Sequence, residues 1–546
     1  MMKKTFFKYC TGLAGLLIVL LTSCNDLNLA PTNKFTEENY WTSAEKANMV
    51  LSMAYNQMYS SGYFFSTEAL SDNIYEGRGT PDEKLISSGQ ADASNNRFAN
   101  EWRDCYAGIK TCHTFLENVD RVPEMDEALK TRMKAEARFI RAYLFFRLTT
   151  WFGDVPLFDH DLSLSESKTI ERTSHEEVLA FVRKELDEII PELPTREEYS
   201  TDDAGRITSG AAVALKARTY LYSNDWENVA ATCEELINSD DYGHYALFPS
   251  YEGLFLPENE NNEEVILDVE YVPELRTWSE FYDYAPQSVG ARVNAMAPTQ
   301  ELVDSYLTLN GRTIDDPNSG YSEDNPYVNR DPRLTATVVY DGYQWKKPDG
   351  TTKTIYIKPG SAPDETSAVD EYKGQGTNAT STGYYLRKYY DPTSTTTFAS
   401  GLNLILIRYA DVLLMYAEAK NELGEMNQSV WDETIQKIRE RAGFSDAYAL
   451  NFNSAWSTAE LRGIIRNERR SELAVEGLRI FDIRRWKTAE NVLNGYPHGA
   501  RFGDPGIDDG YIRLDKRSFN PERDYLWAVP QSQKDLNPSL GQNSGY

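Results

Sequence analysis

Apolar and alanine positions recur at three- and four-residue spacing over residues 44–59, 100–119, 129–151, 174–190, 209–222, 225–238, 407–423 and 431–441, and each stretch predicts an amphipathic helix. In chain order they fall into pairs, 44–59 with 100–119, 129–151 with 174–190, 209–222 with 225–238, and 407–423 with 431–441. Ser174 and Glu177 spell a capping box, and Ser457 with Glu460 opens a further helix over 458–475. Small residues alternate with large ones along Ala214, Ala217, Leu221 and along Ala410, Leu414, Ala417, a texture that lets neighbouring helices approach closely. The predicted fold class is mainly α, with helix pairs as the scaffold.

Two regions break that pattern. From residue 242 to 401 the chain is rich in Gly, Pro, Asn, Asp, Thr and aromatics, and its β-like runs Val265-Ile266-Leu267 and 335–340 predict short strands. A long irregular stretch with this much Trp and Tyr points to a functional region rather than disorder. At the other break, Lys3, Lys4 and Lys8 precede an apolar run over residues 12–21, too short to span ~30 Å of hydrocarbon, so residues 1–23 read as a signal peptide. Thr22 and Ser23 ahead of Cys24 resemble the lipobox of a bacterial lipoprotein. Cys24 is then the expected lipidation site and residues 24–40 a tether, with each buried CH₂ of an acyl chain contributing ~0.8 kcal/mol to membrane anchoring.

Charge and chemistry narrow the function classes. Lys and Arg number 56 against 84 Asp and Glu, a net charge of -28, and a duplex nucleic acid ligand is excluded on that balance. Cys105, Cys112 and Cys233 form no CxxC and read as small buried hydrophobes. The five histidines, His113, His160, His175, His244 and His498, are scattered, and HExxH, GxSxG and P-loop signatures are missing. Glu468, Glu472 and Glu476 recur every fourth residue among Arg469, Arg470, Arg479, Arg484 and Arg485, so a structural ion-pair network is expected rather than an acid/base rack. Acidic turns at 315–318 and 504–509 offer oxygen ligands for calcium without EF-hand spacing; no cofactor is expected, with calcium left open.

Several islands carry a family resemblance. They are Phe139-Ile140-Arg141-Ala142-Tyr143, Phe152-Gly153-Asp154-Val155-Pro156-Leu157, Asn329-Arg330-Asp331-Pro332-Arg333, the run Ile407-Arg408-Tyr409-Ala410-Asp411 continuing to Ala419, the run from Glu468 to Arg479, and Asn537-Pro538-Ser539-Leu540-Gly541-Gln542-Asn543. In this order they resemble the SusD/RagB family of outer-membrane nutrient-binding lipoproteins. The resemblance implies one α-helical domain over 41–546 in which four tetratricopeptide-like helix pairs, mainly within 41–240 and 402–490, form a rigid back. Loops and short strands, mainly within 60–100 and 242–401, would shape the ligand site. It also implies a SusC-like TonB-dependent transporter as partner, over which such proteins sit as a lid. Near Cys24 only Asp26 is acidic, a departure that weakens the surface-export signal.

A sugar ring is held by stacking on Trp or Tyr while Asp, Asn and Arg bond its hydroxyl rim. The loop-rich tracts therefore supply the expected site residues Asp72, Asn73, Arg78, Trp278, Tyr282 and Trp345, whereas Trp102, spaced with Tyr106 and Ile109, belongs to the core. The reading is a cell-surface lipoprotein that binds oligosaccharide without catalysis and delivers it to the transporter. A peptide-binding lipoprotein of a similar transporter is one alternative. Another is a glycoside hydrolase with two carboxylates ~5 to 9.5 Å apart.

Overall fold

The computed structural model describes residues 40–78, 81–394 and 397–546; the predicted signal peptide, Cys24 and nearly all of the tether lie outside the described residues. The long helices are α1 (Ala44–Met58), α2 (Asn96–Asn118), α3 (Glu127–Phe152), α4 (His175–Ile189), α5 (Ser209–Tyr222), α6 (Trp226–Asn238), α7 (Tyr409–Glu422) and α8 (Thr458–Glu472). Capping explains where they start. Ser43, Asn95, Asp126, Thr208 and Asp225 each accept an amide two or three residues on, and Ser174 with Glu177 and Ser457 with Glu460 make the expected capping boxes. α3 stops at Gly153, whose φ of 71° disfavours any residue with a side chain.

The predicted pairs pack as pairs: α1 on α2, α3 on α4, α5 on α6, and α7 on the helical residues Asp432–Gln436, which make a π turn inside the last expected helix. α3 also packs on α2, α5 on α4 and α7 on α6, so the pairs join into one helical layer. Ala214, Ala217, Ala410 and Ala417 are fully buried at these contacts, as their small size requires. Cys105, Cys112 and Cys233 are buried free thiols in the core, and Trp102 is buried with them.

Among the described residues the strands form two-stranded antiparallel ladders, with isolated bridges such as Val155 to Thr173 beside them. β1 (Ile74–Glu76) pairs β3 (Met296–Pro298), β2 (Val265–Val269) pairs β8 (Leu404–Arg408), β4 (Val338–Val339) pairs β7 (Tyr385–Leu386), and β5 (Tyr343–Lys346) pairs β6 (Thr352–Ile355). The first ties the loop after α1 to the middle region. The second ties that region to the head of α7.

Three boundaries differ from expectation. Residues 404–408 are strand, and the helix starts at Tyr409, because a short continuous apolar run suits a doubly buried strand as well as a helix. Within 335–340 only Val338 and Val339 are strand; Asp331 caps a helix over Pro332–Thr337, with the proline at its first turn. α8 ends at Glu472, short of 475, where Val475 takes a φ of 65° and turns the chain back.

Candidate functional site

The loop between α1 and α2 carries β1 and a short helix, Pro81–Ser87, and the segment around residues 515–518 folds back over both. Between them opens a cleft of about 640 Å³ whose lining includes Tyr75, Arg78, Glu83, Lys84, Asp515 and Arg517. The register of β1 sets Tyr75 opposite Ala297, and the amides of Gly77 and Arg78 both donate to the carbonyl of Ala295 at 2.8 and 3.2 Å. Gly77 is required there: a Cβ would stand 1.9 Å from Ser381 Oγ. On the far wall the buried Arg517 donates to the carbonyls of Ser71 and Ile74, and the Ser518 amide donates to the carbonyl of Ser87 at 2.9 Å. Backbone contacts on both sides thus fix the shape of the cleft.

Its chemistry is that of a hydrogen-bonding rim. The Tyr75 hydroxyl donates to Asp515 Oδ2 at 2.7 Å, and the Lys84 ammonium lies 3.7 Å from the same oxygen and 5.8 Å from the Tyr75 ring centroid. Burial, and then the Asp515 contact, pushes the Tyr75 phenol up, so it stays a neutral donor. Glu83 is buried with Arg97 Nε 3.5 Å from Oε1, while its Oε2 has no hydrogen-bond partner; burial raises its pKa. Arg78 stands exposed at the mouth, donating to Asn378 Oδ1 at 2.6 Å and to the carbonyl of Thr377 at 3.1 Å. Tyr75 itself is only 6% exposed. The cleft therefore offers donors and acceptors in alternation and little aromatic platform, a combination matched to hydroxyl groups.

Of the residues expected from sequence, Arg78 lines this cleft; the others do not. The buried Asp72 accepts from Arg479 Nε at 2.8 Å and pairs with Arg470 at 3.0 Å. Burial works to raise its pKa, yet Arg470 and Arg479 hold the carboxyl well below the usual carboxylate range. Asn73 bridges Glu68 and Arg470, donating to the first and accepting from the second at 2.8 Å each. Both residues anchor the loop to the 470–479 segment. Trp278 is 4% exposed, donates from Nε1 to the carbonyl of Leu402 at 2.7 Å and packs its ring 5.2 Å from that of Phe65. Tyr282 is fully buried, its hydroxyl 3.3 Å from the carbonyl of Asp391. Trp345 lies edge-to-face with Tyr390 at 4.8 Å, with the Arg387 guanidinium 4.8 Å from its centroid. Rings already covered by protein give a sugar nothing to stack on, so the expectation that these three aromatics face a ligand is corrected: here they pack the interior of the loop-rich half. Lys84 and Asp515 carried no sequence signal, and Tyr75 was visible only as part of the run from Asp72 to Arg78.

The carboxylate series resolves into the expected network. Glu468 meets Arg333 and Arg439 at 2.7 Å each, Glu472 meets Arg408 at 2.6 Å, Arg333 at 2.8 Å and Arg441, and Glu476 meets Lys388 at 2.7 Å and Arg408 at 2.8 Å. Glu476 reaches it from beyond the helix end. Burial opposes ionisation of Glu472, but Arg441, Arg408 and Arg333 hold it well below the usual range, which suits pairing and not proton transfer; burial brings Lys388 down to about 8. In the acidic turns, Asp316 accepts from Arg312 and the Asn318 amide at 2.8 Å, Asp504 accepts from the Gly506 amide at 2.8 Å, and Asp508 accepts from Arg513 Nε at 2.6 Å. Among the described residues no three His, Cys, Asp or Glu side chains are grouped to hold a metal ion.

Comparison with known proteins places these features. The model of the SusD family matches residues 263–546, and a model described as starch-binding, associating with the outer membrane, matches residues 27–221. The chain is similar to SusD-like protein P2 of Formosa agariphila, 25% identical over 97% of this chain and 98% of that protein. It superposes on the crystal structure of a SusD-like carbohydrate-binding protein of Bacteroides fragilis with a TM-score of 0.81 and 29% identity, covering 92% of this chain and 99% of the other. A second SusD-like protein of Bacteroides fragilis matches with a TM-score of 0.78 and 26% identity, over 95% and 100% of the two chains.

Proposed function

The chain belongs to the SusD family, and from that premise we propose that it is a glycan-binding lipoprotein of the outer membrane, anchored through Cys24, that captures oligosaccharide at the cell surface and passes it to a SusC-like TonB-dependent transporter. The observation that carries the reading is the 640 Å³ cleft at Tyr75, where Arg78 and Lys84 supply donors and Asp515 an acceptor to a ligand rich in hydroxyls. The matched description "starch-binding" and the carbohydrate-binding relative of known structure support the same ligand class. In this reading binding is the whole mechanism: Asp515 is held by the Tyr75 hydroxyl with Lys84 beside it, and Glu83 is buried next to Arg97.

Calorimetry of the purified chain against a panel of neutral glycans and a peptide pool tests this. Arg78→Ala and Lys84→Ala should each weaken the bound glycan by about tenfold, the loss expected for a charge-assisted hydrogen bond. Unchanged affinity in both removes the cleft; preference for peptides, or new reducing ends in the bound glycan, replaces the reading with the corresponding rival.

A further inference from the structure

A second hollow, of about 300 Å³, lies where the end of α3 and the start of α4 meet residues 481–487 and 525–526. One wall is aromatic: the half-buried Phe481 packs 4.6 Å from Trp151 and 5.9 Å from Tyr222 between centroids. The other wall is cationic. Arg484 is 6% exposed, with its guanidinium 4.8 Å from the Trp151 centroid, Nη2 donating to the carbonyl of Tyr525 and Nη1 without a hydrogen-bond partner. Lys487 is exposed, holds a φ of 54°, and carries its ammonium 3.9 Å from the Tyr525 ring centroid. That φ closes the helix Arg479–Arg485 in a Schellman turn, with the Lys487 amide donating to the Arg484 carbonyl at 3.1 Å and the Thr488 amide to that of Ile483 at 2.9 Å.

Neither of these two cations makes a salt bridge among the described residues, in a chain of net charge -28. Asp524 pairs with Arg523 at 2.6 Å and Glu490 accepts from the Tyr525 hydroxyl, so these two acids act on Arg484 and Lys487 only from beyond ion-pair distance; Asp154, on the same lining, accepts from the His175 amide at 2.9 Å. Arg485, on the same lining, is neutralised by Glu418 and Asp482. Burial, and then repulsion from Arg484, lowers the pKa of Lys487, and the attraction of Glu490 opposes this without reversing it. A concave, low-dielectric wall concentrates such a field on whatever enters.

We propose that this hollow binds the carboxylate of an acidic sugar residue, with Lys487 pairing to the carboxylate, the buried Arg484 contributing its field, and Phe481 packing against the ring. The volume admits about one ring. That the ring is a sugar rests on the glycan reading above; that the ligand is an anion rests on the charges alone.

The test is calorimetric titration of the chain with glucuronate at low salt, with glucose and inorganic phosphate as parallel arms. In an Arg78→Ala, Lys84→Ala background, which removes the cationic donors of the Tyr75 cleft, glucuronate should bind more tightly than either, a further Lys487→Ala should weaken it by about tenfold, and Lys487→Arg should retain it. In that background, absence of glucuronate binding, phosphate or glucose binding as tight as glucuronate, or indifference to Lys487→Ala would each overturn the site. Neutral-glycan affinity in Arg78→Ala reports on the Tyr75 cleft separately, so each reading falls alone.

Discussion

Arg408 Nη1 lies 2.6 Å from Glu472 Oε1, and neither residue is more than 1% exposed. Arg408 closes β8 and Glu472 closes α8, so this pair joins two segments of the helical scaffold, and Arg333 on the same carboxylate ties the loop-rich region to them. Arg333 and Arg441 converge on the same carboxylate. Glu472→Ala would leave three buried guanidiniums short of an anion, and removing one partner of a buried pair typically costs about 3–5 kcal/mol. Denaturant unfolding should register a loss of that size; a loss below about 1 kcal/mol would mean that the network is not what holds the two parts together.

Trp278 separates packing from recognition. Trp278→Ala should destabilise by about 3–5 kcal/mol, through the cavity it leaves and the lost bond to Leu402. Trp278→Phe keeps most of the volume, and glycan affinity of that folded variant should equal that of the parent chain in calorimetry. A drop in affinity without a drop in stability would return Trp278 to the binding site.

Three carboxylates converge on Asn403. Asn403 Nδ2 donates to Asp268 Oδ2 and Glu270 Oε1 at 3.1 Å each, and the Asn403 amide donates to Glu260 Oε1 at 2.8 Å. Burial raises all three, bringing Glu260 up to about 7. The folded chain therefore keeps protons that the unfolded chain releases at about pH 4 to 4.5, and stability falls as pH rises from there through the folded values. Asp268→Asn should raise the melting temperature at about pH 8 and flatten its decline above about pH 4.5. An unaltered pH profile would show that Asp268 does not carry this linkage.

His498 produces a decline of different origin. Its Nδ1 lies 2.9 Å from Glu301 and its Nε2 3.3 Å from Asp508, and the Glu301 contact raises its pKa. Its contribution is complete below the unfolded pKa of about 6.5 and is lost as pH rises through the folded value. The melting-temperature gap between the parent chain and His498→Gln should be widest near pH 5.5 and close by about pH 9. A gap that does not depend on pH would mean that the charge plays no part.

Local chemistry made much of this molecule legible from its residues alone. The helices, their pairing and the capping boxes of Ser174 and Ser457 depend on side chains within four positions of one another, and the family islands are contiguous. The alternation that made Glu468 and Glu472 an ion-pair rack was equally visible, though its partners Arg333, Arg408 and Arg441 come from distant segments. Where a short apolar run had two outcomes, as at residues 404–408, only the pairing with β2 chose strand.

The candidate binding surface was decided by tertiary structure. Trp278 and Tyr75 sit in tracts of the same loop-like composition; the first is covered by Phe65, while the second reaches Asp515 from 440 residues away. Lys487 and Arg484 stand out only because, among the described residues, the fold brings no acid within ion-pair distance of them. Periodicity is a property of a few consecutive residues, whereas coverage of a ring and neutralisation of a charge belong to whatever the folded chain brings alongside.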